Sequence, residues 1–321
     1  MTAETTALTV YQPNAIEHAK ALGSRLYEAF LSGRKASTRD AYARDVAAFA
    51  AYLGEPTAAA ALERLLALAG GDANGVVLSY RSHMSESNLT PATINRRLSA
   101  IRSAVKLARI LGFTNWTPEI DGLKSQAYRD TMGPGIDGTR SILAKARTKD
   151  PVKAARDVAI IRLMFDLGLR RGEVAGLDLA DIERDARRIW IMGKGRTQKE
   201  SRTLPDPTLV ALCDWLAVRD QAASVGETAV FVGFSGPDHG QRITGRGLYH
   251  VITTLGGEVG LKTRPHGLRH ASITAALDAN GGDVRAVQQH ARHANPQTTI
   301  RYDDNRKDLA GKIATGLAAS L

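Results

Sequence analysis

At 321 residues, with 43% hydrophobic and 24% charged residues, the chain is long enough for two domains, each with a core of its own. Its formal net charge of +10 points to a polyanionic partner, and aromatic residues at only 5% argue against a row of base-stacking platforms for single-stranded nucleic acid. The single cysteine, Cys213, excludes an intramolecular disulfide framework and a multi-cysteine zinc site. In the apolar stretch LVALCDWL it reads as a small buried hydrophobe. The chain has no apolar run of roughly 18 residues that would span a bilayer, and its N-terminus lacks a signal peptide's basic start and apolar core. The expectation is a cytoplasmic, nucleoid-associated protein with no membrane contact.

In chain order, residues 1–12 show no period and are expected to be disordered. Ser37 reads as an N-cap, after which Tyr42, Val46, Phe49 and Leu53 share one helical face that Gly54 ends. A second helix carries Leu62, Leu65 and Leu66, and a third spans Val76 to Ser85. Thr90 followed by Pro91 starts the next, with an apolar stripe of Ile94, Leu98, Ile101, Val105 and Ala108. Residues 13–115 therefore read as a small helical domain. From 90 to 129 basic residues outnumber acidic ones, and Arg96, Arg97, Arg102, Lys106 and Arg109 mostly avoid the apolar stripe. Such a face is either a solvated surface or a helix laid along DNA phosphates.

Residues 116–140 carry Pro118, Gly122, Gly133, Pro134 and Gly135 without a strong period and read as an interdomain linker. The second domain, 141–321, opens with a helix from Lys153 to Leu167 with Val158, Ile161 and Phe165 inward. Ile189, Trp190 and Ile191 favour a strand over Arg188–Met192. Gly193, Lys194 and Gly195 form a turn, and Ser201–Leu204 returns as the paired strand. Helices are expected at 206–218, 245–256, 267–279, 284–291 and 297–301. Over 306–321, Leu309, Ile313 and Leu317 recur at helical spacing, as in a helix that packs on its own domain.

The second domain holds an ordered series of basic residues ending in a tyrosine. They are Arg170 in GLRRGEVAGL, Lys194 in MGKGR, His266 and Arg269 in PHGLRH, His293 in ARHANP, and Tyr302 in TTIRYDD. Taken singly, each has a plainer reading. Arg170 could form a surface ion pair at a helix start, Lys194 could be a solvated turn lysine, His266 and His293 could be satisfied core histidines, and Tyr302 could be a packing residue. The ordered set, with Tyr302 nine residues after His293, resembles the phage integrase family, the tyrosine recombinases. The likeness covers the whole second domain. A weaker one, in STRDAYARD and TINRRLSAIRSA, links the helical first domain to that family's core-site-binding domain.

The resemblance implies a mainly α fold with a small β-sheet: a SAM-like helical core-binding domain followed by a mixed α/β catalytic domain. It implies cleavage and rejoining of DNA without metal, nucleotide or other cofactor. Tyr302 would be the nucleophile, giving a 3′-phosphotyrosyl intermediate, and Arg170 and Arg269 would hold the non-bridging oxygens. Lys194 would protonate the leaving 5′-oxygen, His266 would help move the tyrosine proton, and His293 would donate to the phosphate. Glu173 would orient Arg170, three residues before it. The partner would be double-stranded DNA with short inverted-repeat core sites, contacted in part by Arg96, Arg97, Arg102 and Lys106. The active assembly would be a homo-tetramer on two duplexes, with the segment 306–321 exchanged between copies. A second recombinase and accessory DNA-bending proteins are compatible with it.

Two features depart from the family pattern. Arg292 precedes His293 where the family usually shows glycine, and His290 is a rival for the role given to His293. Arg171 and His270 adjoin Arg170 and Arg269, and the motif register favours the latter pair. Two other readings stay open: a relaxase of the type IB topoisomerase kind, and an architectural DNA-binding protein without catalysis.

Overall fold

The computed structural model describes residues 15–124, 133–193, 196–236, 239–300, 302 and 309–320. The expected disordered segment 1–12 and Lys194 lie outside them. The chain forms two compact units, Met1–Tyr128 and Arg129–Leu321.

The first unit is helical: α1 (Ala15–Leu31), α2 (Ala36–Leu53), α3 (Ala58–Ala67), α4 (Gly70–Glu86) and α5 (Pro91–Ile110). α5 is its spine. Thr90 caps it by accepting from the Thr93 amide, and Pro91 fills the first turn, where a missing N–H costs nothing. One side of α5 buries Ile94, Leu98, Ile101 and Val105 with Phe49, Val77, Tyr80 and Met84. The other side is smaller, and there Ala100, Ala104 and Ala108 meet Leu26, Phe30 and Leu62. Two helix starts differ from the sequence reading. α2 begins at Ala36 with Lys35 as N-cap, so Ser37 lies inside the helix. α4 begins at Gly70, well before Val76, although its early glycines disfavour a helix locally; at Gly70 the missing side chain makes room for Trp116, whose Cβ a Cβ there would meet at 3.0 Å.

The span 116–140 also differs from a plain linker at both ends. Residues 116–124 are strapped to the first unit. Asn95 both donates to the Leu123 carbonyl (2.9 Å) and accepts from its amide (2.8 Å), Arg102 donates to the Ile120 carbonyl, and Ile120 is buried. At the other end, α6 (Gly135–Ala146) already begins at Gly135 and buries Ile142 and Ala146.

The second unit continues with α7 (Pro151–Asp166), α8 (Arg171–Ala175), α9 (Asp206–Val218), α10 (Gly245–Glu258), α11 (Pro265–Ala279), α12 (Val284–Ala291), α13 (Pro296–Ile300) and α14 (Leu309–Ala318). A small antiparallel sheet in the order β1 (Ile182–Glu183), β2 (Arg188–Met192), β3 (Lys199–Thr203) sits between α8 and α9 in the chain. Ile189 pairs with both Ile182 and Arg202, so the expected two-stranded hairpin gains a third strand too short to show a period. The fold is thus mainly helical with a small sheet. α7 is central. Its inward face carries Ile160, Ile161, Leu163 and Met164; Val158 packs at the core edge, and Phe165 is only half-buried. Cys213 is likewise half-buried. Arg156 and Asp157 on α7 are both buried and pair at 2.7 Å, with Arg156 donating to the Val232 carbonyl and lying 4.2 Å over the Phe234 ring. Helical periodicity cannot foresee such a pair, because its partners come from a distant loop.

Trp215 on α9 is fully buried, donates its indole N–H to the Val230 carbonyl at 2.8 Å and stacks on Phe231. Trp215→Ala should cost about 3–5 kcal/mol of unfolding free energy by urea titration. A loss under about 1 kcal/mol would mean the ring is not part of the core.

Candidate active site

Three stretches of the second unit, joined by Tyr249 of α10, meet in one cleft of about 510 Å³, lined by Arg170, Arg171, Gly172, Tyr249, Arg264, Pro265, His266, Arg269, His293, Thr298 and Tyr302. The first stretch is the turn between α7 and α8. Gly168 takes φ +57°, a left-handed conformation that favours glycine, and a Cβ there would crowd His290 and Ser272. The turn presents the Gly168 carbonyl to Arg269. Arg170 follows as N-cap of α8, and Glu173, three residues on, accepts from the Arg170 amide at 2.8 Å. The same carboxylate accepts from the Arg170 guanidinium at 2.9 Å, so Glu173 fixes both ends of that residue.

The second stretch is the first turn of α11. Pro265 at its start places His266, with Arg269 and His270 three and four positions on, along one helical face. Arg269 is buried and donates to the carbonyls of Gly168 and Ala291. It therefore satisfies a carbonyl at the C-terminal end of α12, where partial negative charge gathers. Burial, then the neighbouring Arg170 and Arg292, push its pKa down to about 10, which leaves it charged at neutral pH.

The third stretch runs from the end of α12 to Tyr302. Arg292 caps α12 at φ +54°, and its guanidinium donates to Glu173. His293 turns inward, its Nδ1 2.9 Å from the Thr299 hydroxyl and its carbonyl held by Gln288. Tyr302 is 8% exposed, with its ring 4.8 Å from that of His270 and 5.5 Å from that of His293. Burial raises its pKa above the ordinary phenol value, and Arg269 and Arg170 pull it partway back.

A model of the phage integrase family matches residues 137–308, the stretch that builds this cleft. A tyrosine recombinase of Synechococcus elongatus is 37% identical, over 90% of this chain and 91% of its own. The chain belongs to the phage integrase family, the tyrosine recombinases. A second tyrosine recombinase, from a Synechocystis species, is 35% identical over 91% of this chain and 94% of its own. The Tn1549 transposon integrase, solved in complex with transposon right end DNA, shares the fold with a TM-score of 0.64 at 17% identity, covering 94% of this chain and 99% of that one. Tyrosine recombinases cleave and rejoin DNA, and this chain is an enzyme of that class.

In this tyrosine recombinase Arg170, Glu173, His266, Arg269, His293 and Tyr302 converge. Lys194 lies outside the described residues. His290 does not line the cleft; its ring meets the Ser272 hydroxyl at 3.2 Å. His270 packs on the Tyr302 ring from beneath the motif. The sequence reading did not single out Tyr249, Arg264 and Thr298 as cleft residues, and it treated Arg292 only as a departure. No local pattern marks the first three. The signal for Arg292 was its position just past a helix end, where a left-handed residue is expected.

The four arginine and lysine positions read as a DNA-facing row in the first unit fare differently. Arg96 forms a two-pronged ion pair with the buried Asp45 (2.9 and 2.8 Å), Arg97 approaches the same carboxylate and the Tyr80 hydroxyl, and Arg102 is committed to the Ile120 carbonyl. Lys106 is exposed. Arg97 and Arg102 thus serve the helix packing first, whereas Arg96 and Lys106 keep a solvent-facing side.

His293 and His266 both titrate below the ordinary histidine range. For each the leading cause is desolvation, followed by Arg269 and Arg170, and His293 falls to about 4. Its folded pKa is depressed, so the unfolded chain takes up the proton first as pH falls. The stability it contributes is complete above pH 6.5 and lost as pH drops towards 4. Unfolding midpoints measured across that window should fall more steeply for the wild type than for His293→Gln. Equal slopes would mean that His293 is solvated and unperturbed.

Proposed function

We propose that this enzyme is a site-specific recombinase in which Tyr302 attacks a DNA phosphodiester held by Arg170 and Arg269. The observation that carries the reading is the charge balance of the cleft. Arg170, Arg171, Arg264 and Arg269 line the cleft, and the carboxylate beside them, Glu173, is already shared between Arg170 and the buried Arg292, so positive charge is left in excess. A phosphodiester carries one negative charge, and attack by a phenolate oxygen raises that to two at the five-coordinate phosphorus. The cluster is therefore better matched to the transition state than to the bound substrate, which is what acceleration requires.

The phenolic oxygen of Tyr302 bonds to phosphorus as the P–O5′ bond breaks, leaving a 3′-phosphotyrosyl link and a 5′-hydroxyl. At neutral pH the buried phenol is protonated, so its proton must leave as attack begins. His266, neutral and lining the same cleft, can accept it. His293 is also neutral; with Nδ1 accepting from Thr299, its Nε2–H is available to a phosphate oxygen. Lys194 is assigned protonation of the 5′-oxygen by resemblance. Religation reverses these steps with a 5′-hydroxyl as nucleophile and needs no ATP, since the phosphotyrosyl link conserves the bond energy.

The assembly is a tetramer on two duplexes that exchanges strands through a four-way junction at short inverted-repeat sites. The solvent-facing end of α14 supports it: Leu317 is 64% exposed, an apolar side chain suited to a pocket on a second copy. In the first unit, Arg96 and Lys106 are the residues placed to neutralise phosphates, with Asp45 orienting Arg96.

On a nicked duplex that traps the intermediate, Tyr302→Phe should abolish the covalent complex while DNA affinity stays within about two-fold, because only one hydroxyl is lost. Arg170→Ala should lower the cleavage rate by about 100-fold or more with a much smaller effect on binding. Loss of affinity and cleavage together in Tyr302→Phe would instead mark a structural tyrosine.

A further inference from the structure

Arg292 breaks three local rules at once. It is not glycine, yet it holds φ +54° at the end of α12. Its side chain is only 4% exposed, although Arg170 and Arg202 are charged neighbours that depress its pKa after burial does. Its Nε and Nη1 make no hydrogen bond. A buried cation with two unspent donors in a conformation that disfavours side chains is retained where it serves something else. What it does have is one strong partner: its Nη2 donates to Oε2 of Glu173, the oxygen that also accepts from the Arg170 amide. The other oxygen, Oε1, accepts from the Arg170 guanidinium, and Arg170 in turn reaches the Arg292 carbonyl at 3.5 Å. Glu173 is as buried as Arg292, with 3% of its side chain exposed.

This closed circuit of Arg170, Glu173 and Arg292 joins the α7–α8 turn to the end of α12. Without Arg292, Glu173 would be held only through the residue it is meant to hold. We infer that Arg292 is a positioning residue: by anchoring Glu173 from the α12 side, it fixes the Arg170 guanidinium towards the scissile phosphate. It lies outside the cleft lining, so it acts through Glu173. The inference rests on the recombinase reading given above, with Arg170 as a phosphate ligand.

The test compares Arg292→Met and Arg292→Lys in the full chain. Both keep an unbranched stem and the same backbone strain; only the lysine keeps a cation beside Glu173. Single-turnover cleavage of a nicked duplex and equilibrium DNA affinity are measured for each, with thermal unfolding as the check on folding. Arg292→Met should cleave about ten-fold more slowly with affinity within about two-fold, and Arg292→Lys should recover part of that rate. In a Glu173→Gln background, adding Arg292→Met should slow cleavage no further. Wild-type rate in a folded Arg292→Met, or equal slowing in the methionine and lysine variants, would overturn the positioning role. Losses that multiply in the double variant would show Arg292 acting directly on the phosphate and would also overturn it. If the wild type forms no covalent complex, the recombinase reading falls first, and the inference with it. A Tyr302 complex in the wild type with an unaffected Arg292→Met removes the inference alone.

Discussion

Guanidinium groups repel one another when they are drawn out of water together, and the site gathers Arg269 and Arg292, both buried, beside the part-buried Arg170. The cost of burying a charge is several kcal/mol unless a partner of opposite sign and good geometry repays it. Here one carboxylate does most of that work: Glu173 takes Arg170 on one oxygen, and Arg292 with the Arg170 amide on the other. The remaining repayment comes from backbone carbonyls. Arg269 is held by those of Gly168 and Ala291, which sit at a left-handed glycine and at a helix C-terminus. The surrounding fold can be understood as what brings these acceptors to one place. α7 ends where Gly168 can turn, α11 starts where His266 and Arg269 face the turn, and α12 stops where Arg292 and His293 can reach back.

The same balance sets the protonation states. Burial first, and the excess positive charge after it, lowers the pKa of both cleft histidines, and the same charge counters the effect of burial on Tyr302. A site so charged keeps its histidines neutral, able to accept or donate one proton each, and keeps its arginines as the permanent cations.

How much of this the sequence disclosed depended on the range of the interactions. The ordered basic residues and Tyr302 were legible because the family's chemistry fixes both residue type and local context. Helices with a clear apolar stripe, such as α5, were legible from periodicity. The third strand was not, because Ile182–Glu183 is too short to carry a period. The start of α4 was hidden by its glycines, of which Gly70 lies close against Trp116. Arg96 is exposed as read, but its ion pair was not legible, because its partner, Asp45, lies on another helix and is itself buried. Arg292 read as a flaw in a motif; only its backbone angle and its bond to Glu173, 119 positions away in the chain, give it a place.

The most direct test of the chemistry is the identity of the bond between protein and DNA. The wild-type enzyme would be denatured while acting on duplex DNA carrying its recombination site, the protein digested, and the DNA-linked peptide mapped by mass spectrometry. A single adduct on Tyr302, joined through the 3′-phosphate with the 5′-hydroxyl free, is the expected result. An adduct on another residue, or one joined through a 5′-phosphate, would contradict the arrangement of nucleophile, arginines and leaving group described here.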